Sequence, residues 1–349
     1  MINDFFLTEW FFDLLRWLYS VLGNNYFLTI FIVTLALRII QILPDINNRK
    51  NQRKQAKIQP EIEKLKKKYA DNPQKLSMEQ NKLMRENGIG MLSSCLPLLL
   101  TLPLFFCFLA AFRFWGYEQT VRLTYETIVN EEKAQETFDS YSFLWITNIW
   151  QPDSGFAPVV TPAKTVKTYG NSSTCVCTKS NNIGNLKLFH TGYTDAAGNK
   201  IEGKVIWETL VKAGLATGEF GSSSMDLLPT DTAVETYDNL MKKYQHGNNN
   251  GWFILPVLAT GFQLLSAWLS MRQSKKLNPG AAQQQSMNFM LWLFPIMSFF
   301  VCLSSTSAFS LYWVLSSVLQ IITSQLTNLI MSKKENADEV SSAKPSKAK

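Results

Sequence analysis

Residues 26–44 read YFLTIFIVTLALRIIQILP, a run broken only by Thr29, Thr34, Arg38 and Gln41, with Arg38 its single charge. At 1.5 Å per residue such a helix covers roughly 28 Å, close to the ~30 Å hydrocarbon core of a bilayer. Its apolar side chains surround the helix rather than forming one stripe, which excludes an amphipathic soluble helix. Four further stretches, 92–112, 253–271, 287–303 and 308–331, carry no charge at all. The pattern predicts an all-α polytopic membrane protein with five transmembrane helices. The rival, a soluble α-protein with five buried helices, requires a core built from five uncharged segments of membrane length.

Averages over the 349 residues hide this pattern. Mean hydropathy is −0.04, an unremarkable value for a soluble chain. Yet only 17% of residues are charged and 13% are aromatic, with 23 Phe and 10 Trp. So much apolar surface excludes disorder as the overall state. Five cysteines are too few for a disulfide scaffold, and two histidines leave little for metal or histidine chemistry.

The net charge of +7 is unevenly placed. Residues 45–91 hold +6, residues 252–288 +3 and residues 289–349 +2, whereas 92–251 hold −3 and 1–44 hold −1. Basic short loops mark the cytoplasmic side. That puts the 45–91 segment, the 272–286 loop and the 332–349 tail inside, and the N-terminus and residues 113–251 outside. With five spans at 24–44, 92–112, 253–271, 287–303 and 308–331, these assignments alternate without conflict. The first 13 residues contain Asp4, Glu9 and Asp13, unlike a secretory signal. Residues 1–23 instead place Phe5, Phe6, Trp10, Phe11, Leu14, Leu15, Trp17, Leu18 and Val21 on one face. They predict an amphipathic helix lying in the membrane interface.

Between the spans, residues 45–91 predict a cytoplasmic helical hairpin. Ile58, Ile62, Leu65 and Tyr69 follow coiled-coil spacing, Asp71-Asn72-Pro73 breaks the helix, and Gly88 and Gly90 end the second arm. Lys54, Lys57, Lys64, Lys66, Lys67, Lys68, Lys75, Lys82 and Arg85 crowd its outer faces. Two readings stand: a surface for anionic lipids, ribosomal RNA or a protein, or a solvated face that only enforces topology. An extracytoplasmic segment at 113–150 leads to a polar insertion at 151–250, a small α+β or irregular unit. There, 165–169, 174–178 and 186–193 alternate as strands do, 195–199 reads as a turn, and 202–213 and 234–244 read as helices. Cys175 and Cys177 are too close for an ordinary disulfide, and Asn171-Ser172-Ser173 matches a glycosylation triplet. The tail at 332–349, with Lys333 and Lys334, reads as basic and disordered.

No catalytic motif, phosphate loop or dinucleotide fingerprint is present, and no cofactor or metal is implied. His190 and His246 have no nucleophile motif to serve. No expected span holds a carboxylate, so Arg38 is predicted to have no acidic partner in the membrane. Burying an arginine at mid-bilayer costs about 2.5–3.5 kcal/mol on insertion scales, so the residue faces a cavity or snorkels. Thr34 and Gln41 share its helical face. Thr101, Gln263, Ser266, Gln320 and Thr323 add polar groups on other spans. Together these residues predict a wet, positively charged groove. The plainer reading is interhelical hydrogen bonding.

Four blocks of the chain resemble the YidC-type membrane protein insertases. They are TLALRIIQILP at 34–44; IQPEIEKLKKKYADNPQKLSMEQNKLMRENGI leading to CLPLLLTLPLFF, within 58–106; SFLWI at 142–146 with ILPVLA at 254–259; and LYWV at 311–314. Their order and spacing cover most of 20–330 apart from the insertion. There are departures. Thr306-Ser307-Ala308 stands where the family has Pro-Ala-Gly. Gln320 precedes by one turn, at Thr323, the place of a family Gln, and Gln263 is likewise one turn from Ala267.

The resemblance implies a bacterial plasma-membrane protein that inserts nascent or newly made integral membrane proteins, alone or with the Sec translocon. It also implies a groove centred on Arg38, a ribosome contact through the hairpin or tail, and no enzymatic step. Two rivals from other classes are a secondary transporter, which needs repeat symmetry, and a polytopic receptor with 151–250 as its ligand domain.

Overall fold

A computed structural model describes residues 6–89, 96–169, 186–195, 198–245, 247, 249–277 and 285–342. The described residues are largely helical. Helix α1 is Phe6–Val21, α2 Tyr26–Lys68, α3 Pro73–Glu86, α4 Leu96–Val129 and α5 Glu131–Asp139. Two single turns follow, α6 (Ala163–Lys167) and α7 (Lys187–Thr191), then strands β1 (Tyr193–Thr194) and β2 (Lys200–Ile201). Next come α8 (Gly203–Lys212), β3 (Ala216–Thr217), β4 (Asp226–Leu227) and α9 (Asp231–Met241), the last extended by a 3-10 turn at Lys242–Tyr244. The chain then forms α10 (Ile254–Leu277), α11 (Gln285–Ser304) and α12 (Ser307–Ser342).

Three helices among the described residues are long and apolar enough to cross a membrane: α2, Ile254–Gln273 of α10 and Ser307–Lys333 of α12. The protein is thus a largely helical, multi-pass, membrane-associated chain. The other two expected spans, 92–112 and 287–303, fall in α4 and α11. Residues 90–95 lie outside the described set, as do the side chains of 96–102 and 285–292.

Several boundaries differ from the sequence reading. The first span and the first hairpin arm are one 43-residue helix, α2, with Pro44 and Pro60 inside it. A proline removes one backbone hydrogen bond, which does not end a helix well supported on both sides. The hairpin tip falls where expected: Asn72 caps α3 by accepting from the Lys75 amide at 3.0 Å, and Pro73 occupies the first turn. Gly88 closes α3 at φ +64°, with the Ile89 amide on the Met84 carbonyl at 2.8 Å and its own amide on Arg85 at 2.9 Å. Helix α4 runs on through residues expected to begin an extracytoplasmic segment. Helix α12 continues to Ser342, so the tail read as disordered is helical over its first part.

Two expected strands are helical turns. Residues 165–169 overlap α6, and 186–193 contain α7. Leu188 and Phe189 are consecutive and both buried, which a strand facing a single core does not allow. Gly192 ends α7 at φ +63°, and a Cβ there would lie 1.9 Å from the Ile201 carbonyl oxygen. Where a turn is expected at 195–199, the Asp195 amide donates to the Asn199 carbonyl at 3.0 Å, and β1 pairs with β2 with Tyr193 opposite Ile201. Strands β3 and β4 pair Ala216 with Leu227. The helices expected at 202–213 and 234–244 are α8 and α9 with its 3-10 turn. The strand expected at 174–178, with Cys175 and Cys177, lies outside the described residues, as do Asn171 and His246.

The chain divides into two compact units: Met1–Val33, Leu102–Thr260 and Ile296–Trp313 form the first, and Thr34–Thr101, Gly261–Pro295 and Val314–Lys349 the second. The first has an aromatic core. Phe11 of α1 lies 4.3 Å from Phe108 of α4 between ring centroids, and Phe108 stacks on Tyr312 of α12 at 4.8 Å. Phe11, Phe12 and Leu15 are buried by protein, so only part of the α1 apolar face, including Trp10 and Trp17, is exposed. Loops of this unit are tied by buried polar groups. Asp153 accepts from the Trp252 amide at 2.8 Å and the Leu255 amide at 2.7 Å. The Ser307 and Ala308 amides at the start of α12 donate to the Gln151 and Ile149 carbonyls, each at 2.9 Å, satisfying donors that a helix start leaves free.

Candidate functional site

Arg38 projects from α2 in the second unit, its side chain only 7% exposed. All three guanidinium nitrogens are engaged. Nε donates to Thr323 Oγ1 of α12 at 2.9 Å, Nη1 to Gln41 Oε1 at 3.2 Å, and Nη2 to Asp45 Oδ2 at 2.5 Å. Thr323 donates its own hydroxyl proton to the Leu319 carbonyl at 2.9 Å, which turns an oxygen lone pair toward Arg38. The i, i+3 and i, i+7 spacings of Gln41 and Asp45 place both on the Arg38 face.

This corrects the expectation that Arg38 lacks an acidic partner. Asp45 follows Pro44, the expected end of the span, so the span alone contains no carboxylate. Because α2 continues through the proline, Asp45 stands two turns along the same face. The pair is neutral overall, not the uncompensated positive charge inferred from the spans alone.

A second cluster one turn beyond Asp45 was also missed. Arg49 donates through Nη2 to Ser324 Oγ at 2.5 Å and through Nη1 to Asn328 Oδ1 and, at 3.4 Å, to Gln273 Oε1. Gln273 donates in turn to Gln325 at 3.0 Å. The signal was present as the 38, 45, 49 spacing, which repeats at seven and four residues.

The other expected groove residues differ in burial. Thr34 is buried on α2, and Gln263 and Ser266 are half-buried on α10. Gln320 is exposed on α12, one turn before the Thr323 that meets Arg38. Thr101 lies in α4, but its side chain is outside the described residues. On the hairpin, Lys64, Lys67 and Lys68 are exposed and Lys66 half-buried. The Lys68 and Lys75 ammonium groups each lie 5.4 Å from the Tyr69 ring centroid, cation–π contacts that fasten the tip. Lys333 is exposed on α12; the side chain of Lys334 is outside the described set.

The first unit holds a different set of charges. Arg122 on α4 donates to Glu126 Oε1 at 2.9 Å, the Tyr193 hydroxyl donates to the same oxygen at 2.7 Å, and the Tyr193 ring covers the guanidinium at 4.4 Å. Arg16 on α1 donates to Thr191 Oγ1 at 2.8 Å and the Gly192 carbonyl at 2.7 Å, and lies 3.6 Å from Glu118. Lys187 pairs with Asp13 and, at 3.3 Å, with Glu9. Lys133 pairs with Asp195. Burial raises the Glu118 carboxyl above its ordinary value, against the opposing pull of Arg16. The Lys133 hydrogen bond holds Asp195 down at about 2, with the Asn199 amide assisting.

A long polar-lined helix pair around one buried arginine defines a class: multi-pass membrane proteins that keep a charge inside the bilayer-length part of the fold. Within that class, the family model described as 60Kd inner membrane protein matches residues 17–184 and 209–335. The chain belongs to that family. Among its relatives are proteins named membrane protein insertase YidC. One from Clostridium perfringens is 36% identical over 144 residues, 41% of this chain and 52% of the relative. One from Caldanaerobacter subterraneus is 32% identical over 180 residues, 50% of this chain and 74% of the relative. One from Clostridium tetani is 31% identical over 150 residues, 42% of this chain and 59% of the relative. The chain thus spans about half to three quarters of these relatives. The match also reaches further into 151–250 than expected, leaving out only 185–208 of that insertion. Those residues include Lys187, Thr191, Gly192, Tyr193 and Asp195, which bind α1, α4 and α5.

Proposed function

We propose that this protein is a membrane protein insertase and folding helper of a bacterial plasma membrane. The observation that carries the reading is Arg38, buried on a membrane-length helix among polar partners, in a chain whose relatives are named insertases. Those names leave the transporter and receptor readings without support. The reading has five spans, an outside N-terminus and an inside C-terminus, supported by the basic short segments at 45–91 and 272–286.

A groove of Arg38, Thr34, Gln41, Thr323 and the polar residues of α10 shortens the apolar barrier that a substrate's polar tail must cross. Arg38 attracts acidic residues of that tail, more strongly than in water because little water screens it. Transfer of about 20 apolar substrate residues into lipid then drives the step without ATP. No bond is made or broken, so the protein is not an enzyme. Substrates are nascent or newly made membrane proteins. The exposed hairpin lysines and the basic tail are the surface for anionic lipid or a ribosome, and the Sec translocon is a further partner in this reading.

The test is insertion of a single-span substrate with an acidic tail into liposomes carrying the purified protein. Arg38→Ala is expected to lower the yield about tenfold, the loss of one charge-assisted contact. Unchanged yield overturns the role of the charge.

A further inference from the structure

Arg38 has no idle nitrogen: Thr323, Gln41 and Asp45 take Nε, Nη1 and Nη2. Those bonds use three of the five guanidinium N–H groups, so a substrate carboxylate can reach the remaining two. Beside Asp45, however, it is a second negative charge on one cation, and the site stays neutral only if a partner yields. Thr323 is half-buried and held to the Leu319 carbonyl of its own helix, and Gln41 is a neutral neighbour. Asp45 differs from both. Its side chain is 35% exposed against 7% for Arg38, and in the proposed topology it stands just past Pro44 at the cytoplasmic end of the first span, where water receives it if it leaves. It is also the partner that chemically matches an acidic tail. We propose that Asp45 is a built-in surrogate for the substrate carboxylate, occupying Arg38 at rest and setting the selectivity of the groove for acidic tails.

The exchange follows from charge balance. A second carboxylate brought to an occupied guanidinium leaves one excess negative charge in a poorly hydrated site. Exchanging the two carboxylates keeps the site neutral, while Asp45 turns to the aqueous side and regains hydration. A substrate tail without carboxylates has nothing to offer in exchange and passes without displacing Asp45. After the tail has crossed, Asp45 returns and competes with it for Arg38, which speeds release. The proposal rests on the insertase reading and adds to it the residue that sets its charge preference.

The experiment compares two single-span substrates, identical except that the tail carries Asp or Asn, inserted by the full-length protein in liposomes. The readout is the ratio of acidic-tail to neutral-tail insertion. Asp45→Asn is expected to raise this ratio roughly twofold to fivefold, the worth of a partly exposed ion pair. Asp45→Ser is a second variant, in case the first does not fold. In an Arg38→Ala background the Asp45→Asn effect on the ratio disappears, which a structural role for Asp45 does not predict. An unchanged or lowered ratio in both Asp45 variants, with the wild type inserting both substrates, overturns the surrogate role and leaves the insertase reading standing. Absence of insertion by the wild type overturns the insertase reading, and this proposal with it.

Discussion

Arg122 and Arg38 are both nearly lost to solvent, with side chains 11% and 7% exposed, and each pairs with a carboxylate on its own helix. What separates them is the partner. Glu126 is 2% exposed, shares its bonded oxygen with the Tyr193 hydroxyl, and has Tyr193 stacked over the arginine. Asp45 is one-third exposed. A buried pair whose members are both enclosed has nowhere to send either charge, so it holds structure. A pair with one hydrated member can exchange that member, so it can serve a ligand. Depth of burial alone does not distinguish a structural arginine from a functional one.

The contrast makes predictions that differ in kind. Arg122→Ala strands Glu126, whose second oxygen, Oε2, is already buried without a hydrogen bond among the described residues. It is expected to cost about 3–5 kcal/mol of stability, as when one partner of a buried pair is removed. Thermal unfolding in detergent and protease sensitivity of residues 113–250 measure this. A loss as small as that of Arg38→Ala breaks the contrast. Arg38→Ala is expected to cost about 1 kcal/mol or less, because Asp45 stays hydrated, while acidic-tail insertion falls.

Smaller effects come from titration. Glu118 has a folded value raised above its ordinary 4.5 by burial, so its proton binds more tightly in the folded state. Its stabilising contribution is full below about pH 4.5 and is lost as pH rises through the raised value. Glu118→Gln is expected to flatten that pH dependence and to stabilise the protein modestly at neutral pH. Melting curves between pH 4 and 8 check this; an unchanged slope counts against it. Asp195 shifts the other way. Lys133 depresses it from 3.8 to about 2, so its contribution is present above about pH 4 and fades as pH falls toward 2. Lys133→Met is expected to remove this acid-side loss, read from the acid limb of a circular dichroism titration.

The relation between sequence and structure varies by element. The tip at Asn72-Pro73 and the stop at Gly88 were legible because caps and left-handed turns are local chemistry. The three long apolar helices were legible from hydropathy for the same reason. The two single-turn helices in the insertion were not, since alternation over five residues is equally compatible with one helical turn. Asp45 and Arg49 carried the correct spacing but were cut off by reading Pro44 as a terminus. The hold of residues 187–195 on α1 had no sequence signal. Arg16 and Thr191 lie 175 positions apart.

The sequence by itself determined that this chain is membrane-bound, where its charged segments begin, and that one arginine lies within a span. Those properties depend on hydropathy and period, which are sums over neighbours in the chain. Tertiary structure decided which carboxylate that arginine holds, which hydroxyl meets it from another helix, and how much water its partner sees. Those properties depend on separations of about 3 Å and on solvent access. For Asp45 they follow from α2 running on through Pro44, and for Thr323 from the packing of two helices distant in sequence.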